Sequence, residues 1–328
     1  MKSLSEQAPT NNLLVGTKHL HEKSRVKPLL PVRIMRACTA SHIFTEVGEE
    51  LYAHNAYSRI FSKEQNRDMF KQMYDFVGKG TYALPEHLEK TDWKNPENYN
   101  DSAFHLGQNT NLGFWEYLEA VPGRLETFNS GMRSMASVTA VASVYPFDVE
   151  LNRDPVTAND VVLVDVGGGR GQVLEKIKNE FPGLRGVLVL QDQEEVIADA
   201  VSRSLPQFIR AQPASFFHVN PVKGARAYHF RRIFHDWSDS ASIDILRNTV
   251  AAMTPTSRVL ISDNDVPTQK APAHMALQDL NMMSFAGMER TMKQWVALLD
   301  RAGLTIVKTW RVDGNDHVMI EARLRDSE

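Results

Sequence analysis

Val164-Asp165-Val166-Gly167-Gly168-Gly169-Arg170-Gly171 is the stretch whose reading decides the fold. The apolar run Val161-Val162-Leu163-Val164 leads into it and a helical pattern follows through Phe181, so the glycines lie on a turn between a strand and a helix. Glycines there let the backbone turn tightly and let a ligand approach the main chain with no Cβ in the way. Gly167, Gly169 and Gly171 give G-x-G-x-G, whereas the dinucleotide fingerprint G-x-G-x-x-G needs glycine at 172, where Gln172 stands. A pyrophosphate cradle is therefore a poor fit. Asp165, just before the glycines, would repel a phosphate and suits a cationic ligand or an amino group.

Working outward, Gly186-Val187-Leu188-Val189-Leu190 is a second apolar run, and residues 225–230, 258–262, 304–308 and 317–322 supply further strands. Strands alternating with helices mean βαβ units and a parallel sheet, so the fold class is α/β and Rossmann-like. Asp192 follows the second strand, about 20 residues beyond the glycines, where an acidic side chain accepts hydrogen bonds from ribose hydroxyls. Loop and acid together ask for a nucleoside with a positively charged, amino-acid-like arm. S-adenosylmethionine has that shape. The plainer alternative is a glycine turn that only caps its strand and a solvated Asp192.

The pattern changes character near residue 150, and Asn152-Arg153-Asp154-Pro155 is the natural boundary because proline disfavours helix in the residue before it. Two domains are expected, 1–155 and 156–328. Residues 29–42 carry Leu30, Ile34, Met35 and Cys38 at helical spacing, with Arg33 and Arg36 beside them. Residues 43–52 alternate as a small hairpin with Gly48 in a turn position. Helix and hairpin suggest a winged-helix-like segment within a mostly helical domain. Such a unit can bind DNA, but the basic charge is not concentrated as that contact requires, so a packing role is expected. Residues 64–142 read as further helices interrupted by a polar stretch, 91–101. Phe114-Trp115-Glu116-Tyr117-Leu118 and Met132, Met135 and Val138 form apolar helix faces.

Composition narrows the class. A length of 328 residues allows two domains. Hydrophobic residues at 42% and charged residues at 23% are those of a folded soluble protein. With 37 basic and 40 acidic residues the net charge is −3, which disfavours nucleic acid as a partner. The lone Cys38 leaves no internal disulfide and no thiol zinc site, and no signal peptide or membrane span is legible, so a cytoplasmic location is expected. No metal is expected either: His19, His21 and Glu22 are close in sequence but lack ligand spacing.

Phe230-Arg231-Arg232-Ile233-Phe234-His235-Asp236-Trp237-Ser238-Asp239 lies just past the strand that begins at Ala225. Ligands of open α/β sheets sit outside the carboxyl ends of strands, which points His235 into the same crevice as the glycines. Its imidazole titrates near neutrality, as a general base requires. A structural histidine is the alternative.

These motifs resemble the S-adenosylmethionine-dependent O-methyltransferases of the caffeic acid O-methyltransferase type, in their fungal secondary-metabolism branch. The resemblance runs through V-D-V-G-G-G-R-G at 164–171, L-Q-D at 190–192, F-H-D-W-S-D at 234–239 and M-E-R-T at 288–291. It extends weakly upstream to about Thr17. It implies that His235 takes the proton from a substrate hydroxyl, with Glu289 and Asp263 flanking the imidazole. It also implies that Gly167 and Gly169 contact the methionyl arm of the cofactor and Asp192 its ribose, with Arg231 as a basic position nearby. Asp165 and Phe216 are read with the cofactor site, and Met282, Met283 and Met132 with the acceptor pocket. The reaction implied is metal-free, in-line methyl transfer to a phenolic or enolic hydroxyl of a small metabolite such as an aromatic polyketide, in a homodimer.

The chain departs from that pattern in three places. Ser215 stands where an acidic residue often faces the adenine, and Asp263 is one methylene shorter than the usual glutamate. Only 16 residues precede Thr17, which leads to an expectation of weakened dimerisation. Two other readings keep the fold: a cofactor-binding enzyme that catalyses dehydration or a pericyclic step without methylation, and a non-catalytic partner subunit.

Overall fold

The structure, a computed structural model, describes residues 15–16, 29–136, 144–311 and 316–325. Thr17, His19, His21, Glu22 and Val138 lie outside them, as does most of the front segment on which the expectation about dimerisation rests.

In chain order the front half holds β1 (Val15–Gly16), α1 (Leu29–Ala40), β2 (Phe44–Gly48), β3 (Leu51–His54), α2 (Ala56–Ile60) and α3 (Glu64–Gln72). It continues with α4 (Lys79–Lys90), α5 (Ala103–Gln108), α6 (Phe114–Ala120), α7 (Arg124–Ala136) and α8 (Phe147–Leu151). The second half holds β4 (Val161–Val166), α9 (Gln172–Glu180), β5 (Val187–Asp192), α10 (Glu194–Ser202), β6 (Ile209–Pro213) and β7 (Ala227–Arg231). After these come α11 (Asp239–Val250), β8 (Arg258–Asn264), α12 (Ala273–Met283), α13 (Met292–Arg301), β9 (Leu304–Arg311) and β10 (His317–Leu324).

Contacts group the described residues into two compact units: those within 1–73 and 122–136, and those within 74–121 and 137–328. In the first, β2 and β3 pair antiparallel as the hairpin expected from residues 43–52. The turn falls at Glu49-Glu50, with Glu50 at φ +52°, one step beyond Gly48. Helix α1 does not bury the face its spacing marks out: Leu30 is 48% and Ile34 51% exposed. Further along, the Gln72 amide donates to the carbonyls of Thr127 and Phe128 at 2.9 and 2.8 Å, tying α3 to α7.

The second unit is built on a seven-stranded sheet in the order β6-β5-β4-β7-β8-β10-β9. Strands β4 to β8 run parallel, and β10 runs antiparallel to both β8 and β9. The sheet is therefore mixed where the strand pattern suggested a parallel one. The cause is local: residues 312–316, all that separate β9 from β10, are too few for a crossover, so the two strands return as neighbours. Strands such as Val-Val-Leu-Val-Asp-Val are apolar on both sides because both faces of the sheet are covered. One face packs Val164, Phe230, Ile261 and Ile320 against Leu246 of α11 and Leu298 of α13. The other packs Leu163, Leu190, Leu260 and Met319 against Ile177 of α9, Ile197 of α10 and Phe147 of α8. Each such side chain contributes about 1.5–3 kcal/mol by leaving water.

Residues 74–121 join this unit through aromatic contacts. The Phe104 ring lies 5.4 Å from that of Phe285, just after α12, and the Phe104 N–H donates to the Ser284 carbonyl at 2.8 Å. Among the described residues no helix is long and apolar enough to cross a membrane.

Candidate active site

Strand order reverses at β4, which has β5 on one side and β7 on the other, so a crevice opens beyond the carboxyl ends of β4 and β7. The glycine loop and the turn carrying His235 both leave the sheet there.

In the loop, Gly167, Gly169 and Gly171 all adopt positive φ, at +70°, +59° and +83°. A Cβ added at Gly169 would meet nothing within 4 Å, which leaves the backbone open to a ligand. The Gly169 N–H donates to Asp192 Oδ2 at 2.8 Å and the Gln193 N–H to Asp192 Oδ1 at 2.8 Å. Asp192 thus anchors the loop and keeps lone pairs for further donors. Burial pushes its carboxyl up, against the two backbone donors.

Asp165 points into the interior at 1% exposure, where its Oδ1 accepts from Nδ1 of the buried His229 at 2.8 Å. Its Oδ2 has no hydrogen-bond partner among the described residues. A buried carboxylate oxygen beside an open glycine loop fits a ligand that brings its own positive charge or N–H donor. Arg231 ends β7 on the same side, its guanidinium pKa lowered by burial. Phe216 is half-buried and joins an aromatic group around Trp237, whose ring lies 5.8 Å from Phe216, 4.8 Å from Phe217 and 4.8 Å from Tyr99. Ser215 is exposed and its Oγ accepts from the Phe217 N–H at 3.3 Å.

His235 sits in a single helical turn, Phe234–Asp236, and is 7% exposed. Its Nδ1 donates to Glu289 Oε1 at 3.0 Å, while Nε2 faces Asp236 Oδ1 at 3.4 Å. The other oxygen of Glu289 accepts from the Asn264 side-chain amide at 3.1 Å. Burial pushes the Glu289 carboxyl up, but the His235 hydrogen bond and charge, the Arg232 guanidinium and Asn264 outweigh it and hold the group at about 2. Glu289 is thus an acceptor only and fixes the ring in the tautomer that carries hydrogen on Nδ1. Burial and Arg232 act against a proton on His235; Asp236, Glu289 and Asp263 outweigh them, and its pKa lies above the ordinary histidine value.

Asp263 is close but does not bond the ring. Its Oδ1 accepts from Arg232 Nη1 at 3.0 Å and from the Asn264 N–H at 2.9 Å. Arg232 Nη2 meanwhile reaches Glu289 Oε1 at 3.3 Å. The sequence reading singled out Arg231 and passed over Arg232, yet Arg232 is the cation that joins both acids. Ligand-type atoms of His235, Asp263 and Glu289 lie within 4.8 Å of one another, as a metal site would need. The guanidinium already supplies the positive charge between the two carboxylates.

Two more residues unread from sequence hold the turn. The Arg290 guanidinium, its side chain fully buried, donates to the carbonyls of Phe234 and Trp237 at 2.6 and 2.9 Å and to Asp239 at 2.8 Å. Gly287 lets the 284–291 loop lie against the turn: a Cβ there would stand 2.3 Å from the His235 carbonyl oxygen. The Met288 N–H donates to that same oxygen at 2.9 Å. On α12, Met282 is buried and Met283 half-buried. Met132 lies on α7 in the first compact unit, 37% exposed.

Comparison with known proteins agrees with this layout. A family model described as an O-methyltransferase domain matches residues 93–305. O-methyltransferase GME11366 of Pestalotiopsis microspora is 41% identical over 96% of this chain and 78% of its own length. Demethylsterigmatocystin 6-O-methyltransferase of Aspergillus flavus is 30% identical over 92% of this chain and 77% of its own. The crystal structure of OxaC superposes with a TM-score of 0.90 at 32% identity, covering 97% of this chain and 81% of that one, and OxaC has also been solved with S-adenosylhomocysteine and oxaline. A loop shaped for a cationic nucleoside, a histidine held by a buried glutamate, and sequence shared with fungal O-methyltransferases over most of the length lead to one conclusion: the chain belongs to the S-adenosylmethionine-dependent O-methyltransferases of the caffeic acid O-methyltransferase type.

Proposed function

We propose that the protein methylates a phenolic or enolic hydroxyl of a small secondary metabolite with His235 as general base. The observation that carries this reading is the 3.0 Å bond from His235 Nδ1 to the ionised Glu289. With Nδ1 tied to the acid, the Nε2 lone pair is the one free to take a proton from the acceptor hydroxyl, and the imidazolium so formed is stabilised by the carboxylate beneath it. S-adenosylmethionine, when bound, supplies an activated methyl group on a positively charged sulfur. The protein's share is to hold the acceptor oxygen in line, remove its proton and exclude water.

The binding roles follow the same logic. Asp192 accepts from the ribose hydroxyls, the backbone at Gly167 and Gly169 lies along the methionyl arm, and Asp165 and Arg231 address its charged end. Phe216 stacks near the adenine, where Ser215 offers no carboxylate. Met282 and Met283 line the acceptor side. Asp263 acts through Arg232. One relative named for demethylsterigmatocystin and another, OxaC, solved in complex with oxaline support a polycyclic small-metabolite acceptor. A homodimer has support in the exposed Leu29, Leu30 and Ile34 of α1.

Incubation with methyl-labelled S-adenosylmethionine and a panel of hydroxylated polyketides and indole alkaloids tests the proposal. Label is expected in an O-methyl product, with one S-adenosylhomocysteine formed per product. A product that accumulates without S-adenosylhomocysteine would overturn it.

A further inference from the structure

We propose that Arg232 tunes the proton affinity of His235: its guanidinium offsets part of the negative charge around the imidazole, so the ring gives up its second proton more readily and is able to act as a base. The idea rests on the general-base reading for its catalytic meaning, but not for its physics.

Three carboxylates surround the ring. Glu289 Oε1 lies 3.0 Å from Nδ1, Asp236 Oδ1 lies 3.4 Å from Nε2, and Asp263 offers an oxygen within 4.8 Å. Left to these carboxylates alone, the imidazole would hold its second proton more tightly still and would be a poorer base at neutral pH. Arg232 is placed against that outcome. Its Nη1 lies 3.0 Å from Asp263 Oδ1 and its Nη2 lies 3.3 Å from Glu289 Oε1, the same oxygen that accepts from His235. Guanidinium and imidazole therefore compete for one carboxylate oxygen, and each increment of charge drawn by Arg232 is withdrawn from the imidazolium.

The backbone points the same way. Arg232 has φ +55°, a conformation that side chains other than glycine seldom adopt, and its N–H donates to the Ser262 carbonyl at 3.1 Å. The backbone strain is held just past the end of the strand, where the side chain reaches two buried acids. Other charged or titratable groups facing the cluster are Arg231 on β7, His317 on β10, Asp279 on α12, which accepts from the Glu289 N–H at 2.9 Å, and Arg290, which is committed to Asp239. Arg232 places one guanidinium nitrogen on Asp263 and the other on Glu289. Arg232 acts through His235 and is a positioning residue.

The test compares wild type, R232K and R232G, each saturated with S-adenosylhomocysteine. Glycine removes the charge and suits the positive φ, and lysine keeps the charge; circular dichroism and S-adenosylhomocysteine affinity verify that each variant is folded before it is titrated. The His235 imidazole is titrated by NMR at Cε1, its signal assigned by its loss in H235N. R232G is expected to raise the midpoint by about one pH unit or more, and R232K by much less. The acidic limb of kcat/KM should move to higher pH in step. An R232G midpoint equal to the wild-type value, or equal shifts in both variants, would overturn the proposal. If H235N retains full methyl transfer, the general-base reading fails instead, while the titration midpoints still decide what Arg232 does to the ring.

Discussion

His235 and Glu289 are 54 residues apart in sequence, and their side chains meet at 3.0 Å with the glutamate buried at 4% exposure and its carboxyl held at about 2. Glu289→Gln keeps the shape and removes the charge. The expected result is a fall of about 10²-fold in kcat/KM, with affinity for S-adenosylhomocysteine unchanged. Equal loss of both would mean that Glu289 supports the fold rather than the proton transfer.

The glycine loop separates turn chemistry from binding. Gly169→Ala places a methyl where nothing lies within 4 Å, at φ +59°. Backbone strain of about 1–2 kcal/mol is expected, visible as a small drop in Tm. If the loop carries the methionyl arm, affinity for S-adenosylhomocysteine falls about tenfold or more by calorimetry. Unchanged affinity would reduce the loop to a strand cap.

Arg290 supports the His235 turn from below through Phe234, Trp237 and Asp239. Arg290→Met leaves two buried carbonyls without their donor and is expected to lower stability by about 3 kcal/mol in urea unfolding. Arg290→Lys should recover less than half, because one ammonium cannot fork to all three partners.

Stability should also depend on pH through His317. Burial pushes this imidazole down to about 3, with Arg232 and Arg231 adding to the shift, and its Nε2 is hydrogen-bonded to Ser262 Oγ at 2.7 Å. Below the unfolded histidine pKa the unfolded chain binds a proton that the folded one refuses. The contribution is thus intact above about pH 6.5 and is lost as pH falls toward about 3, at about 1.4 kcal/mol per pH unit. His317→Gln should flatten this part of the urea-unfolding profile; an unchanged slope would assign the acid sensitivity elsewhere.

Much of the sheet was legible because its strands are continuous apolar runs and the glycines mark the first turn. Strand β6 was missed: it is an edge strand on which Ile209 is the one buried residue, so its pattern is weak. Asp192 was found because its distance from the loop is fixed by one βαβ unit. The pairing of His235 with Glu289 came from family resemblance, since no local spacing relates residues on separate loops. Arg232 escaped because its direction is set by a positive φ, which periodicity does not encode; two consecutive arginines at the end of a buried strand were the available signal. Asp263 lies in the cluster, but its oxygen accepts from Arg232 and the Asn264 N–H and not from the imidazole that the resemblance set it beside. The face of α1 was marked by its spacing, yet spacing cannot say whether the same chain covers it.

Single-turnover methyl transfer by H235N, preloaded with labelled S-adenosylmethionine and mixed with an accepted hydroxylated substrate, tests the central claim most directly. The account predicts a rate at least about 10²-fold below wild type, with cofactor affinity within about threefold, a change too small to signal a lost contact. A near wild-type rate, or a cofactor affinity that collapses with the rate, would contradict it.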